Sequence, residues 1–352
     1  MKKKKTNNVP LFLFLLLIIL LYSCAPVTYE KIYPTLKDGK YDSEFPYKGS
    51  SNELEQISKS VNRINSTGFY RTYLFNTADS LTMSDIRSGS IDDMAIHIGF
   101  TDKSSSGTGT IIYSNEGKVA LLTCAHVINY PDTVISYTAD ENGYLTNFVE
   151  VVLVKVRQRI YAAGFPEGSE LEILAMDKNL DVALIGRNYT TFARYKFPVF
   201  SFPPGKAKEL EWGTFVYIFG YPMNYQMITK ALVSSPDRDG NGSFLVDAVV
   251  NRGYSGGIVL AIKDGIPNFE LVGIVQWVPE ERKDVLIPLR RKNNEPYSRL
   301  VPYKGNIYVD KFSEIKYGIT RVISIESIKD FLKRNKDILY EKGYALENYI
   351  KD

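Results

Sequence analysis

Cysteine and histidine are scarce in this chain, with two of each among 352 residues. Cys24 ends an apolar N-terminal run, and if it is spent there Cys124 has no partner left. That excludes a disulfide framework, so the fold must rest on core burial, which a chain of this length can supply. A surplus of one charge is lacking too: Lys2–Lys5 account for the formal +3, and without them 39 basic residues face 40 acidic ones. Such a balance gives no electrostatic reason for nucleic acid or an acidic membrane surface as a partner. No apolar run reaches the roughly 20 residues of a membrane span. The longest, Val9–Tyr22, has 14, and no internal repeat is present.

What the N-terminus does contain is an export signal. Lys2–Lys5 form a positive region before the apolar run. The run ends in Leu21-Tyr22-Ser23-Cys24, which resembles the lipobox of bacterial lipoproteins, although Tyr22 is bulkier than usual there. The resemblance implies a signal over 1–23, an acylated Cys24 as mature N-terminus, and a lipid-anchored protein of the cell envelope. Ala25 is compatible with the outer membrane of a Gram-negative host. An ordinary signal peptide or an uncleaved anchor is the alternative. Acylation by more than one chain gives stable anchoring, at about 0.8 kcal/mol per buried CH₂.

A hydrophobic share of 44% describes a globular protein, and 25 tyrosines among 13% aromatics favour β structure. Residues 25–50 read as a tether, and Ser51–Asn65 as a helix with Leu54, Ile57, Val61 and Ile64 on one face. Residues 66–92 give no clear pattern. From Met94 onward short strands are predicted at 94–100, 109–113, 119–123, 146–156, 170–175 and 182–185. A second group follows at 214–219, 227–234, 243–250, 258–262, 271–278 and 318–322. Many short strands in two groups of six, divided near residue 200, indicate an all-β barrel or sandwich. Ser324 is placed to cap a helix with Ile325, Ile328, Phe331 and Leu332 on one face. A mixed C-terminal tail, continued helix or loose chain, closes the sequence over 336–352.

Three segments carry chemistry. Asn251-Arg252-Gly253-Tyr254-Ser255-Gly256-Gly257 sets a serine among glycines, where backbone N–H groups can approach a reacting carbonyl. Leu122-Thr123-Cys124-Ala125-His126-Val127 holds one of the two histidines, and Asn179-Leu180-Asp181-Val182-Ala183-Leu184 holds an acid within an apolar run. Histidine, aspartate and serine in that order suggest a nucleophilic triad. His97 alternates with apolar neighbours and reads as structural, and Cys124 as a buried small hydrophobe.

With their flanks, these residues resemble the trypsin-like (chymotrypsin-fold) serine peptidases. Gly107-Thr108-Gly109-Thr110, Leu271-Val272-Gly273-Ile274-Val275-Gln276-Trp277 and Tyr317-Gly318-Ile319-Thr320-Arg321-Val322 agree as well, over roughly residues 90–335. The resemblance implies two six-stranded antiparallel β-barrels, over about 93–196 and 207–322, with a helix at 324–335 in a peptidase domain of 93–335. Residues 24–92 precede it as tether and lead-in. Ser255 is then the nucleophile, His126 the base and Asp181 its orienter, with the Gly253 and Ser255 N–H groups as oxyanion hole. Gln276 and Trp277 lie on the substrate-binding strand. Val249 is expected at the base of the specificity pocket, with Val278 and Gly318 on its walls, which favours a small or medium apolar side chain. No cofactor and no metal are implied. The expected partners are a protein or peptide substrate and, through Cys24, a lipid membrane.

Where relatives that mature by N-terminal cleavage have an acid before the serine, this chain has Tyr254, so that activation switch is absent. No PDZ domain follows, as only about 30 residues remain after Val322. A non-catalytic module on the same fold, or an esterase-type hydrolase, is the alternative reading. Asp237–Ser243 begins like a calcium loop but lacks the closing acid, since Ala248 stands there, and reads as a hairpin turn. Residues 279–311 form a basic insertion, read as a solvated loop.

Overall fold

A computed structural model describes residues 34–350 apart from 141–142, 167–169, 190–195, 278–279, 289–299, 301 and 316–317. The signal segment, Cys24 and Val278 lie outside the described residues.

Strand β1 (Val61–Leu74) buries Ile64, Ser66, Gly68 and Tyr70 in strict alternation. It joins β2 (His97–Asn115), β3 (Lys118–Cys124), β4 (Thr133–Ala139), β5 (Leu145–Ala162), β6 (Glu172–Asp177) and β7 (Val182–Asn188). They form one antiparallel sheet in the order β4-β5-β1-β2-β3-β7-β6. This corrects the sequence reading in three places. Helix α1 (Ser51–Ser58) stops short, and Val61 and Ile64 belong to β1, which pairs with both β2 and β5. The spacing of Leu54, Ile57, Val61 and Ile64 fits a helix, but long-range pairing overrides such local preference. The sheet therefore begins well before residue 93 and has seven strands. Finally, the strands expected at 94–100 and 109–113 are one strand of 19 residues, because the polar stretch between them is exposed and gives no apolar signal.

The second unit contains β8 (Phe215–Gly220), β9 (Met227–Ser235), β10 (Phe244–Val246), β11 (Ile258–Ile262) and β12 (Phe269–Trp277). After a ribbon of β13 (Glu280–Pro288) and β14 (Ile307–Ile315) comes β15 (Thr320–Ser324). Strands β10-β15-β12-β11-β8-β9 close into a six-stranded barrel. Its strands β8 and β11 are fully buried, so they read as continuous apolar runs. The insertion is thus no mere loop: β13 and β14 pair from Glu280↔Ile315 to Pro288↔Ile307. The hairpin reading of Asp237–Ser243 agrees with its bonding, since Asp237 accepts the Gly242 N–H and Asp239 those of Asn241 and Ser243.

Both ends of the described chain pack onto this core. Tyr41 is buried, donates its hydroxyl to Glu270 at 2.6 Å and accepts the Lys206 N–H at 2.8 Å. Residues from 34 on are therefore part of the fold rather than tether. At the other end, Ser324 caps the helix α2 (Ile325–Arg334) by accepting the Ser327 N–H, and Ile325, Ile328, Phe331 and Leu332 are all buried. The segment beyond it is no loose tail, because Leu339, Tyr344, Leu346 and Tyr349 enter the main core.

Asp42 is a buried acid in this N-terminal clasp, and desolvation pushes its pKa up to about 6 despite hydrogen bonds from the Gly265 N–H. A raised folded-state pKa means the native state holds the proton longer than the unfolded chain. Stability then falls as pH rises from about 4 to about 6. Asp42→Asn removes the charge and keeps an acceptor. We expect it to raise Tm at pH 7.5 by roughly 2–4 °C and to leave Tm unchanged at pH 4, as thermal melts at both pH values will show.

Candidate active site

The histidine and the aspartate are delivered by neighbouring strands. Strand β3 ends at Cys124, pairs with β7 as far as Cys124↔Val182, and runs directly into the one-turn helix Ala125–Ile128. Asp181 sits just before β7 with φ of +62°, a left-handed conformation that aspartate tolerates better than most residues. It is held there from both sides. Its carbonyl accepts the Ala125 N–H at 3.1 Å, and Oδ1 accepts the His126 N–H at 2.8 Å. Its other oxygen, Oδ2, lies 2.8 Å from His126 Nδ1. Asp181 is 8% exposed, whereas nearly half of the His126 side chain is open. One carboxylate thus fixes both the backbone and the ring of His126, and Nε2 is left to face outward.

The turn before Asp181 has its own support. Asp177 Oδ1 accepts the N–H groups of Asn179 and Leu180 at 3.0 Å, and Arg334 of α2 donates to Oδ2 at 2.9 Å. The backbone bond from Leu180 and the Arg334 guanidinium hold its carboxyl below the usual carboxylate range.

On the opposite wall, the serine loop leaves the barrel between β10 and β11. Tyr254 N–H donates to Asn251 O at 3.3 Å, closing a tight turn with Gly253 at φ of +110°. Only glycine fits at 253: a Cβ would lie 2.3 Å from the Tyr221 carbonyl oxygen. The Arg252 carbonyl accepts the Met223 N–H at 3.4 Å. Because the peptide is planar and trans, the Gly253 N–H points the opposite way. Thr108, buried, donates its hydroxyl to the Gly253 carbonyl at 2.6 Å and its N–H to the Ser255 carbonyl at 2.8 Å. Tyr254, Gly256 and Gly257 all donate their N–H groups within the protein, to Asn251, Val275 and Tyr254. Among the described residues, the N–H groups of Gly253 and Ser255 have no such acceptor.

His126, Gly253 and Ser255 line one cleft of about 530 Å³ between the two sheets. No hydrogen bond joins the Ser255 hydroxyl to the imidazole; such bonds often tighten only once substrate is bound. The cleft is also formed by Asn251 and Arg252 of the serine segment and by Ser104–Ser106, Tyr221 and Met223, the last three groups not singled out from the sequence. The serine run just before Gly107 was a usable signal, since small polar residues beside a glycine-rich strand suit a solvent-lined wall.

The specificity pocket needs correction. Val249 is 67% exposed and does not line the cleft, whereas its neighbour Val250 does. The chain leaves β10 after Val246, so the side-chain alternation that would aim residue 249 inward is lost. Gln276 is half-buried at the end of β12 with an unpaired Oε1, and Trp277 ends that strand opposite Arg321. Gly318 lies before β15 at φ of +87°. Tyr254 is buried, its ring pressed against Gly220, so an apolar contact occupies the place of the acid found in cleavage-activated relatives.

Cys124, His126 and Asp181 bring one sulfur, one nitrogen and one oxygen within 4.8 Å of one another. These atoms are already engaged. Burial and the Asp181 charge push the Cys124 thiol well above its usual value, and it donates to the Val275 carbonyl at 3.2 Å. A neutral thiol and a carboxylate spent on histidine do not make a metal cage.

Residues 107–274 match the family described as the trypsin-like peptidase domain, and all three candidate residues fall within the match. This chain carries a trypsin-like peptidase domain. A search of curated proteins finds no match. The closed barrel, the seven-stranded sheet and the cleft between them are the trypsin-like fold as this chain builds it. Strand β1, the ribbon β13–β14 and the C-terminal helices lie outside the matched span.

Gly253→Ala tests the turn. The added methyl forces the turn away from Tyr221 and displaces one of the two uncommitted N–H donors. We expect kcat to fall by about 10²–10³, the typical cost of losing one oxyanion donor, in a protein that still folds by circular dichroism but melts at a lower temperature.

Proposed function

We propose that this protein is a serine endopeptidase of the cell envelope, anchored by lipid on Cys24 and acting through Ser255, His126 and Asp181. One observation carries the reading. Two uncommitted N–H groups, at Gly253 and Ser255, share a cleft with a histidine whose far nitrogen is held by a buried aspartate. In this reading Ser255 Oγ attacks the scissile carbonyl while His126 Nε2 takes its proton. Charge developing on the carbonyl oxygen is met by the two N–H groups, and Asp181 stabilises the imidazolium. Imidazolium then returns the proton to the leaving amine, and water attacks the acyl-enzyme by the same route in reverse. The leaving amine separates an endopeptidase from an esterase. Tyr254 supports an enzyme that needs no newly released N-terminus, since its site is filled by a packed ring.

The test is digestion of a chemically unfolded protein by the purified chain, read by mass spectrometry of the products. Internal cleavage that vanishes in Ser255→Ala supports the proposal. Cleavage of activated esters with no peptide cleavage would replace it with the esterase reading. For the anchor, intact mass after expression with its signal should show acylation at Cys24, lost in Cys24→Ser.

A further inference from the structure

The edge of β2 next to the cleft has no strand partner. Residues 97–106 pair with β1 on one side, from Leu74↔His97 to Asn65↔Ser106. On the other side, pairing with β3 begins only at Thr110↔Leu122. Among the described residues no backbone group outside β1 pairs with residues 97–106, and Phe100–Ser104 are exposed, Phe100 by 79%. Such an edge offers a row of N–H and C=O groups to any extended chain. Its C-terminal end, Ser104–Ser106, is a wall of the cleft itself. The edge therefore continues the substrate cleft without a break.

The chemistry decides which half of a substrate runs along it. A leaving group must depart on the imidazole side, where it receives its proton. The β2 edge is on that side: Ser105 donates its hydroxyl to the Val127 carbonyl, and Gly107 is pressed against the Val127 side chain, one residue beyond His126. We propose that the leaving-group half of an extended polypeptide adds to β2 as an antiparallel strand, from Ser106 back to about Phe100. The substrate is then an unfolded chain with a long C-terminal side. The seven residues from Phe100 to Ser106 make six steps of about 3.3 Å, roughly 20 Å in all, so some six residues beyond the scissile bond are needed to fill the edge. Backbone pairing supplies affinity with little demand on side chains, and Phe100 offers an apolar contact at the far end.

This inference rests on the proposed peptidase activity, and its test separates the two. Quenched peptides share one acyl half and carry about two, four, six or eight residues on the leaving-group side. A fluorophosphonate probe reports the serine independently. We expect kcat/KM to rise about tenfold or more with length, levelling off near six. N-methylation of alternate outer amides should lower it for one parity and spare the other. Phe100→Ala should weaken only the long peptides, leaving probe labelling unchanged. Labelling with equal kcat/KM at all lengths, or with no parity effect, would overturn the edge proposal and leave the peptidase reading standing. A dimer that buries this edge in solution would overturn it too, by assigning the edge to a second copy. No labelling and no cleavage would remove both.

Discussion

Replacing Ser255 by alanine will reduce kcat against an unfolded protein by about 10⁶ and leave the fold unchanged. The size follows from the role: with Oγ gone no acyl-enzyme forms, and the oxyanion donors and binding alone leave a small residual rate over water. The fold is spared because among the described residues no hydrogen bond depends on the hydroxyl, while the backbone of residue 255 keeps its bond from the Thr108 N–H. The glycines around it behave oppositely. A Cβ at 256 would meet the Thr108 carbonyl oxygen at 2.2 Å, and one at 257 the Phe219 carbonyl oxygen at 2.1 Å, so substitutions there should cost stability first. Thermal melts beside single-turnover rates distinguish the two classes.

Asp181→Asn is expected to cost about 10⁴ in kcat with a small change in KM. The amide still accepts the His126 N–H through Oδ1 but turns an NH₂ toward Nδ1, where the carboxylate stood at 2.8 Å. The ring must then carry its proton on Nε2, which removes the base from Ser255. NMR of the ring nitrogens should show the change of tautomer. If the variant retained wild-type kcat, the Asp181–His126 pair would be structural only. Asp177 adds a smaller effect of the same kind, since it holds the turn from which Asp181 projects and is itself held by Arg334.

The chemistry of the site was legible in the sequence because each residue is flanked by strand residues that bury completely. Val182–Ile185, Leu121–Cys124 and Ile258–Leu260 are all closed to solvent, so their apolar runs frame the aspartate, histidine and serine. The capped helix at Ser324 was legible for the same local reason. What could not be read depends on partners distant in sequence. Val61–Leu74 becomes a strand only through β2 and β5, and its apolar spacing also fits a helix. Tyr41 and Tyr349 look like loop tyrosines until Glu270, Lys206 and Phe200 are brought to them. Val249 failed because counting back from Ser255 assumes a strand where the chain has already left the barrel. The two units, the cleft and the order of the three residues were in the sequence; strands β1 and β4, the clasping ends and the free edge were not.

The most direct measurement is covalent capture at Ser255. A fluorophosphonate applied to the folded, purified chain should add one phosphonyl group, located by peptide mapping on the segment containing Asn251–Gly257. Denaturation, Ser255→Ala and Asp181→Asn should each abolish or strongly slow the reaction. Stoichiometric labelling confined to Ser255 is the predicted result. A folded protein that takes up no label, or labels equally well without Ser255, would contradict the triad.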